Sequence, residues 1–416
     1  GLDKVTGRAK YGADFNAPNM LHAAVLRSPH AHARIIKIDT SKAEALAGAK
    51  AFVTRADFPT GLEGEDFYLQ ENTIAGDRVL YDGHAVAAVA ATSALAAKDA
   101  IKLIEVEYEL LPHVTDVDEA MKPDAPVVRE GVQDHSVPEG LPPNIVSYMD
   151  FGHGDLKAGF SEADFIMENT YKTEAAHQGY IEPHACVGQL GQDGKGEMWI
   201  CTQGQWFIRK MCASVLGLEA SQLRVTPSEI GGGFGGKIYN QQAIEAALIS
   251  KSCGKPVQLV WSRKEEFMYD RFRPAALMNI TSGVDDNGKL NLWEFDIYCA
   301  GTRGTSLFYG VENNRTRMFN EKNDRGDSHT NSLKNISVHP VGTGAWRAPG
   351  NNSTTFARES HIDVTAHKIG INPLEFRLNN LNNQDMSNTL KLAAQTFDWN
   401  KPKKEGHGYG IALGED

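Results

Sequence analysis

A seven-residue segment in the middle of the chain, Gly231-Gly232-Gly233-Phe234-Gly235-Gly236-Lys237, constrains the fold more than any other feature. It lies between a predicted strand, residues 223–230, and a predicted helix, residues 241–252. Glycine has no Cβ atom, so the backbone of such a loop can adopt positive φ angles and approach a ligand closely. Successive N–H groups at the start of a helix also attract anions. The segment therefore predicts a site for an anionic ligand at a strand-to-helix junction.

Three kinds of ligand are compatible with this loop. Gly231, Gly233 and Gly236 satisfy the G-x-G-x-x-G pattern of dinucleotide-binding folds, but no acidic residue follows at the expected strand end. Gly231, Gly236 and Lys237 fit the P-loop pattern, but Ile238 stands where a P-loop has the Ser or Thr that ligates Mg²⁺. A large organic cofactor that carries phosphate groups and is held by backbone amides requires neither feature. A P-loop or dinucleotide-binding enzyme stays open as the alternative to such a cofactor.

The composition disfavours several other classes of protein. The chain of 416 residues carries 42 basic and 53 acidic residues, and its net charge of -11 disfavours binding to nucleic acid phosphates. The longest weakly polar segment, residues 84–97, is too short to cross a bilayer, which needs about 20 apolar residues. Five cysteines without a C-x-x-C pair predict neither an iron–sulfur cluster nor a zinc ribbon within this chain. They favour a reducing compartment, so we expect a cytoplasmic protein ahead of a periplasmic one.

The hydrophobic pattern predicts an α/β (α+β) protein of two complete domains and the start of a third. Residues 1–120 alternate between strand and helix patterns. We expect a linker rich in Pro and Gly at residues 121–150, a second domain at 151–383 and the beginning of a third at 384–416. Residues 304–332 are polar and lack periodicity, which predicts a long loop.

Two further positions offer donors to the same ligand. Gln203 follows a predicted strand, residues 197–201, and a Gln at the end of a strand can donate a hydrogen bond into a cleft. Arg347 lies between a Gly-Thr-Gly turn and a predicted helix at residues 354–369, a second loop-to-helix junction whose amides can face an anion. Local sequence alone is equally compatible with an ordinary loop Gln and a surface turn.

These motifs together resemble those of the molybdopterin-binding subunits of the xanthine oxidase (molybdenum hydroxylase) family. The resemblance covers nearly the whole chain and keeps the family's order. It is carried by residues 4–11 (KVTGRAKY), 26–35 (LRSPHAHARI), 82–112, 154–155 (GD), 181–185 (IEPHA), 202–203 (TQ), 231–237 (GGGFGGK) and 346–350 (WRAPG). The fold that it implies is a hammerhead-like N-terminal domain followed by the first of two molybdopterin-binding domains.

The resemblance implies roles for five residues. Gln203 matches the Gln that hydrogen-bonds the apical oxo group of the molybdenum centre, and it is the one residue expected to act in catalysis. Gly233, Phe234 and Gly235 match the backbone that surrounds this centre, and Arg347 matches the Arg of a third cofactor loop. In bacterial members the cofactor is usually the cytosine dinucleotide form of molybdopterin, whose long anionic body requires amide donors from several loops.

The resemblance also implies a reaction and partners. Such enzymes hydroxylate a carbon of an N-heteroaromatic compound or an aldehyde, take the oxygen from water and use a Glu as general base. We expect the electrons to leave through 2Fe-2S clusters and a flavin (FAD) or a cytochrome on partner subunits, because this chain has no cluster ligands. A non-catalytic subunit that only scaffolds such a complex is a further alternative.

Two departures from the family pattern narrow these expectations. The catalytic Glu belongs to the family's C-terminal half, so we expect it on a C-terminal half or on a second subunit, as in some bacterial nicotinate dehydrogenases. Glu182, Glu229 and Glu359 are accordingly interpreted as structural or surface acids. Purine-oxidising members carry a Glu where this chain has Ile238, which disfavours xanthine as the substrate. The histidines show no paired metal-ligand spacing and are expected to pack or to lie at the surface.

Overall fold

The computed structural model describes residues 1–127, 136–191, 193, 195–299, 305–319 and 343–415. The chain forms two compact units, each assembled from separate stretches of sequence. The first unit contains the described residues within 1–132, 176–273 and 325–347, and the second contains those within 133–175, 274–324 and 348–416. Helices and strands occur together in both units, which confirms the predicted α/β class. In the described ranges, no helix has the length and apolar character needed to cross a membrane.

The elements are numbered along the chain. The strands are β1 (Leu21–Arg27), β2 (Ala33–Asp39), β3 (Ala49–Val53), β4 (Arg78–Val79), β5 (Ala85–Ala91), β6 (Glu105–Leu110), β7 (Tyr148–His153), β8 (Phe165–Thr173), β9 (Ala185–Leu190), β10 (Gly196–Ile200), β11 (Leu223–Pro227), β12 (Val257–Val260), β13 (Ala276–Val284), β14 (Leu290–Cys299) and β15 (Asn313–Phe319). The helices are α1 (Leu2–Val5), α2 (Ser41–Glu44), α3 (Gly64–Thr73), α4 (Ala94–Ile101), α5 (Val117–Ala120), α6 (Leu156–Glu162), α7 (Gln205–Val215), α8 (Gln241–Cys253), α9 (Arg263–Tyr269), α10 (Asn351–Lys368), α11 (Pro373–Asn380) and α12 (Gln384–Phe397).

The first unit is built on a seven-stranded sheet with the strand order β11-β10-β9-β12-β1-β5-β3. Strand β5 consists only of Ala and Val and is buried along its whole length, because these small side chains let α4 and α8 pack against it. Helix α8 also packs against β9, and its apolar residues join α7 in the main core of this unit. A second sheet, β4-β2-β6, has three strands. The main core thus fixes β9, β10 and β11 together with the two helices that follow them.

The second unit is built on a five-stranded sheet with the strand order β7-β15-β14-β13-β8. The expected loop at residues 304–332 is wrong in part, because β15 lies within it and pairs with both β14 and β7. Charged side chains obscured this strand in the sequence. Arg317 forms an ion pair with Glu294 of β14 at 2.9 Å, and Arg315 forms one with Asp150 of β7. The part of that range after β15 lies outside the described residues.

A buried ionic network joins α10 to α11 in the second unit. The Arg377 side chain is fully buried, and its Nε lies 2.9 Å from Glu359 Oε2. Its Nη1 lies 2.6 Å from Asp363 Oδ1. Tyr309 donates a hydrogen bond to the same Glu359 carboxylate at 3.0 Å. Removal of Arg377 would leave the buried Glu359 carboxylate with Arg358, at 3.2 Å, as its one described cation, so this network makes α10 and α11 mutually dependent.

We expect Arg377→Met to destabilise the protein by about 3–5 kcal/mol, because it leaves the Glu359 carboxylate without its nearest buried cation. The measurement is urea-induced unfolding followed by circular dichroism. The matched control is Arg315→Met, which removes the same group from a partly exposed ion pair in the same unit and should cost much less. Equal losses for the two variants would contradict the prediction.

Candidate functional site

Two loops leave the seven-stranded sheet side by side. Strands β10 and β11 are parallel neighbours, so the segments that follow them begin at the same edge of the sheet. The first segment carries Gln203, and the second is the Gly-rich loop. The N–H of Gln203 and the hydroxyl of Thr202 both donate to the carbonyl of Lys237, each at 3.0 Å. The last residue of the Gly-rich loop thus joins the two segments.

The side-chain amide of Gln203 has a fixed orientation. Its Oε1 accepts hydrogen bonds from the N–H groups of Gly235 at 2.9 Å and Lys237 at 3.3 Å. These two donors exclude the flipped amide, because an NH₂ group cannot accept them. Gln203 is exposed, and none of the described residues accepts a hydrogen bond from its Nε2. The amide therefore keeps Nε2 as a donor for a ligand.

Close packing explains why Gly233 and Gly235 of the loop carry no side chain. A Cβ atom on Gly233 would lie 2.5 Å from Gln203 Oε1. Gly235 has a φ of 101°, and a Cβ atom there would lie 2.5 Å from the carbonyl of Ala345. Phe234 also has a positive φ, 49°, and its side chain is 46% exposed. The loop therefore takes its shape from contacts with two other segments.

Three successive N–H groups of the loop have no acceptor in the part of the chain that the structure describes. Within the described ranges, no backbone or side-chain atom accepts a hydrogen bond from the N–H of Gly232, Gly233 or Phe234. Runs of backbone N–H groups of this kind bind anions. Together with Gln203 Nε2 they form a set of neutral donors on a backbone where only Phe234 carries a Cβ atom. This donor set fits the expected anionic cofactor.

Arg347 reaches the same site from a third segment. Its N–H donates to the carbonyl of Phe234 at 2.8 Å. Two residues earlier, the carbonyl of Ala345 accepts a hydrogen bond from Gln178 Nε2 at 2.8 Å. The side chain of Arg347 is exposed and forms no ion pair with a described acidic residue. The structure thus brings all five predicted residues into one place: Gln203, Gly233, Phe234, Gly235 and Arg347.

The Lys237 ammonium is directed into the protein interior and is not available to bind a phosphate. Its side chain is fully buried, with Nζ 2.8 Å from Glu182 Oε2 and 4.8 Å from the centre of the Tyr180 ring. A P-loop needs this ammonium on the β- and γ-phosphates, so the geometry argues against that alternative. The loop is also not the start of α8, which begins only at Gln241 with Asn240 as its N-cap. A short 3-10 helix, Gly236–Ile238, ends the loop, and the three N–H groups described above lie before it. The expected anion site at a helix N-terminus is therefore corrected to one formed by loop amides.

Two protein families match the chain. Residues 6–112 match the family described as aldehyde oxidase and xanthine dehydrogenase, a/b hammerhead domain. Residues 137–381, more than half of the chain, match the molybdopterin cofactor-binding domain. The chain belongs to the molybdopterin-binding subunits of the xanthine oxidase family. The predicted family, and the hammerhead domain followed by a molybdopterin-binding domain, are thereby confirmed.

The proteins to which this chain is similar differ in how much of their length it covers. A probable xanthine dehydrogenase subunit of Bacillus subtilis is 32% identical over 92% of this chain, which spans 50% of that relative. The nicotinate dehydrogenase large molybdopterin subunit of Eubacterium barkeri is 29% identical over 91% of this chain and is covered over 86% of its own length. The CO dehydrogenase structure from Oligotropha carboxidovorans shares the fold, with a TM-score of 0.81 and 24% identity over 96% of this chain and 53% of that one. The chain thus spans about half the length of two of these proteins.

This xanthine oxidase family subunit also contains a buried cluster of ionisable side chains that sequence reasoning did not predict. His177, Tyr180, His184, Glu266 and Asp270 form it, and we call it the His177 cluster. His177 Nε2 lies 3.2 Å from Asp270 Oδ2, and the Tyr180 hydroxyl donates to Glu266 Oε2 at 2.6 Å. His184 Nδ1 lies 3.2 Å from Glu266 Oε2. The four-residue spacing of the two acids, with Glu266 in α9 and Asp270 at its C-terminal cap, was the signal that could have indicated the cluster.

Hydrogen bonds explain the His177 cluster without a bound ion. Ligand atoms of His177, Glu266 and Asp270 lie within 4.8 Å of one another, but these atoms already bond to each other or to Tyr180. Burial lowers the pKa of His177, yet its hydrogen bonds to Asp270 and Glu266 outweigh burial and raise the pKa to about 9. Burial raises the pKa of Glu266, but hydrogen bonds from His177 and His184 bring it well below its usual range. At neutral pH the cluster therefore contains a buried ion pair between His177 and Glu266, whose nearest charged atoms lie 3.7 Å apart.

We expect this cluster to make stability depend on pH. A His pKa that rises from 6.5 in the unfolded chain to about 9 in the folded one contributes stability that is complete below pH 6.5 and is lost as the pH rises to about 9. The free energy of unfolding should fall over that interval in the wild type, and His177→Asn should reduce the slope by about one bound proton. Urea unfolding at several pH values measures this, with His407→Asn as the exposed control. Equal slopes in the wild type and His177→Asn would contradict the prediction.

Proposed function

We propose that the chain is the molybdopterin-binding subunit of an enzyme that hydroxylates a carbon of an N-heteroaromatic compound or an aldehyde with oxygen from water. The observation that carries the proposal is the Gln203 amide, which two loop N–H groups hold with Nε2 available beside three further N–H donors. The molybdenum cofactor would supply the redox chemistry, accepting the electrons that the substrate carbon loses. Its form would be the cytosine dinucleotide.

The chain's own residues would bind and orient this cofactor. Gln203 Nε2 would donate to an oxo group of the metal centre, and it is the one residue that we assign to catalysis. The backbone of Gly233, Phe234 and Gly235 would surround the centre, with the loop N–H groups donating to its anionic atoms. Arg347 would add a guanidinium from the third segment, in the form that suits bidentate recognition of phosphate. Neutral, pre-oriented donors of this kind hold a charged group without rearranging during a reaction.

We place the general base outside this chain, on a C-terminal half or on a second subunit. The acids considered from the sequence are already engaged. Glu182 accepts hydrogen bonds from two backbone N–H groups and the Lys237 ammonium. Glu359 is buried between arginines, and Glu229 forms an exposed ion pair with Lys4 at 2.8 Å. Relatives of about twice the matched length support a base located beyond this sequence.

The substrate would be an N-heteroaromatic compound or an aldehyde, and xanthine is disfavoured among the N-heteroaromatic compounds. The apolar Ile238 is partly buried and packs against the main core of the first unit, so it offers no acceptor to a purine edge. The likeness to a nicotinate dehydrogenase large molybdopterin subunit, over 86% of that relative, also favours a substrate of the N-heteroaromatic class.

The electrons would leave through partner subunits that carry 2Fe-2S clusters and FAD or a cytochrome. Four of the five cysteines are buried, and the one metal-ligand group found among the described residues contains no cysteine. Such a chain would assemble with an iron–sulfur subunit, a flavin or cytochrome subunit and a C-terminal molybdopterin-binding half or subunit. We propose a cytoplasmic complex.

The first test is elemental analysis of the natively purified complex. We expect about one molybdenum per copy of this chain, CMP after acid hydrolysis and several irons on companion chains. ADP or NAD released from the boiled complex, with no molybdenum, would instead favour a nucleotide-binding enzyme and overturn the proposal.

The second test is Gln203→Ala in the intact complex. Loss of one pre-oriented donor should lower kcat by about 100-fold, because it removes an interaction with the reacting centre. The control is Gln189→Ala, which truncates an exposed Gln on β9 and should leave turnover unchanged. Unchanged turnover and unchanged molybdenum content in Gln203→Ala would support a scaffold subunit instead.

A further inference from the structure

We infer that Glu182 is a positioning residue, which acts through Lys237 to hold the Gly-rich loop and the Gln203 amide in register. The inference rests on the proposed function, since it concerns residues that support the proposed cofactor site without touching the cofactor. It gives a structural role to Lys237, the lysine of the loop, and to Glu182, which lies 49 residues before Gly231.

The Glu182 carboxylate binds both ends of the Gly-rich loop. Its Oε2 accepts from the N–H of Gly231 at 2.7 Å and from the Lys237 ammonium at 2.8 Å. Its Oε1 accepts from the N–H of Gly12 at 3.1 Å, which ties the same group to the N-terminal segment. The backbone N–H of Glu182 donates to the carbonyl of Gly231 at 3.1 Å. One side chain therefore fixes the first and the last residue of the loop.

Lys237 transmits this constraint to the candidate site. Its ammonium is held by Glu182, while its backbone contacts Gln203 in both directions. The Lys237 carbonyl accepts from Gln203 N at 3.0 Å, and the Lys237 N–H donates to Gln203 Oε1 at 3.3 Å. A displacement of Lys237 would therefore remove one of the two N–H donors that orient the Gln203 amide and leave it held by the Gly235 N–H alone.

Because the Lys237–Glu182 ion pair is buried, its loss should change the position of the loop. The Lys237 side chain is completely buried, and Glu182 is only 13% exposed. A buried ammonium that loses its carboxylate must reach water or remain uncompensated, and either outcome is costly. In Glu182→Gln we therefore expect Lys237 to leave its position and to move the loop N–H groups out of the orientation that they have in the candidate site. In Glu182→Gln/Lys237→Met no charge remains to be compensated, so the loop should stay closer to its native position.

The test uses the natively purified complex with Glu182→Gln, Lys237→Met and the double variant. Glu229→Gln is the matched control, because it neutralises an exposed acid paired with Lys4. The readouts are molybdenum and CMP per chain and the Mo(V) EPR spectrum of the loaded fraction. We expect Glu182→Gln to lower the molybdenum content at least threefold and to alter the EPR spectrum. The double variant should recover at least half of the lost content, and the control should match the wild type.

A conservative variant covers the case in which Glu182→Gln does not assemble. Glu182→Asp keeps the charge but shortens the side chain, and it should load molybdenum with an altered EPR spectrum and a lower kcat at an unchanged KM. Full loading with a wild-type spectrum in Glu182→Gln, or in Glu182→Asp where only that variant assembles, would overturn the inference. So would a double variant no better than Glu182→Gln. Absence of molybdenum from the wild-type complex would instead overturn the proposed function, so the two failures are distinguishable.

Discussion

The parallel pairing of β10 with β11 is the constraint on which the site depends. It starts two loops at one edge of the sheet, so Gln203 and the Gly-rich loop meet although 32 residues separate Gln203 from Gly235. A slip of one residue in this pairing would move Gln203 by about 3.3 Å and turn its side chain to the other face. Its Oε1 would then lose both N–H donors. The main core, which fixes β9 to β11 with α7 and α8, therefore also determines where the Gln203 amide points.

The Gly-rich loop and the position of Gln203 at the end of a strand could be predicted from the sequence because their signals are local. The glycines of residues 231–237 mark a loop that approaches other backbone closely, and Gln203 directly follows a strand. The resemblance to the family then gathered these residues and Arg347 into one site, and the structure brings them together. What each of them does stays a prediction until the complex is assayed.

Other features could not be predicted because they depend on distant partners. Glu182 lies 49 residues before Gly231, and Tyr180 lies 86 residues before Glu266, so no local pattern connects them. Strand β15 escaped prediction for a related reason. Its arginines look like loop residues until the acids of β7 and β14 lie beside them and satisfy their charges. In each case the partner that explains the position of a charged side chain is far away in sequence.

The distribution of charged and neutral donors explains how an acidic chain can bind an anionic cofactor. With a net charge of -11, the protein offers no long-range attraction to such a ligand. The lysine of its Gly-rich loop is neutralised by Glu182, so binding under the proposed function would rest on short-range donors: loop N–H groups, the Gln203 amide and one exposed guanidinium. Donors of this kind discriminate by direction rather than by charge, since a hydrogen bond weakens steeply when its angle departs from linearity. Selectivity for one cofactor would therefore depend on the exact path of the loop backbone, which is why a buried ion pair that never touches the ligand can matter as much as the residues that do.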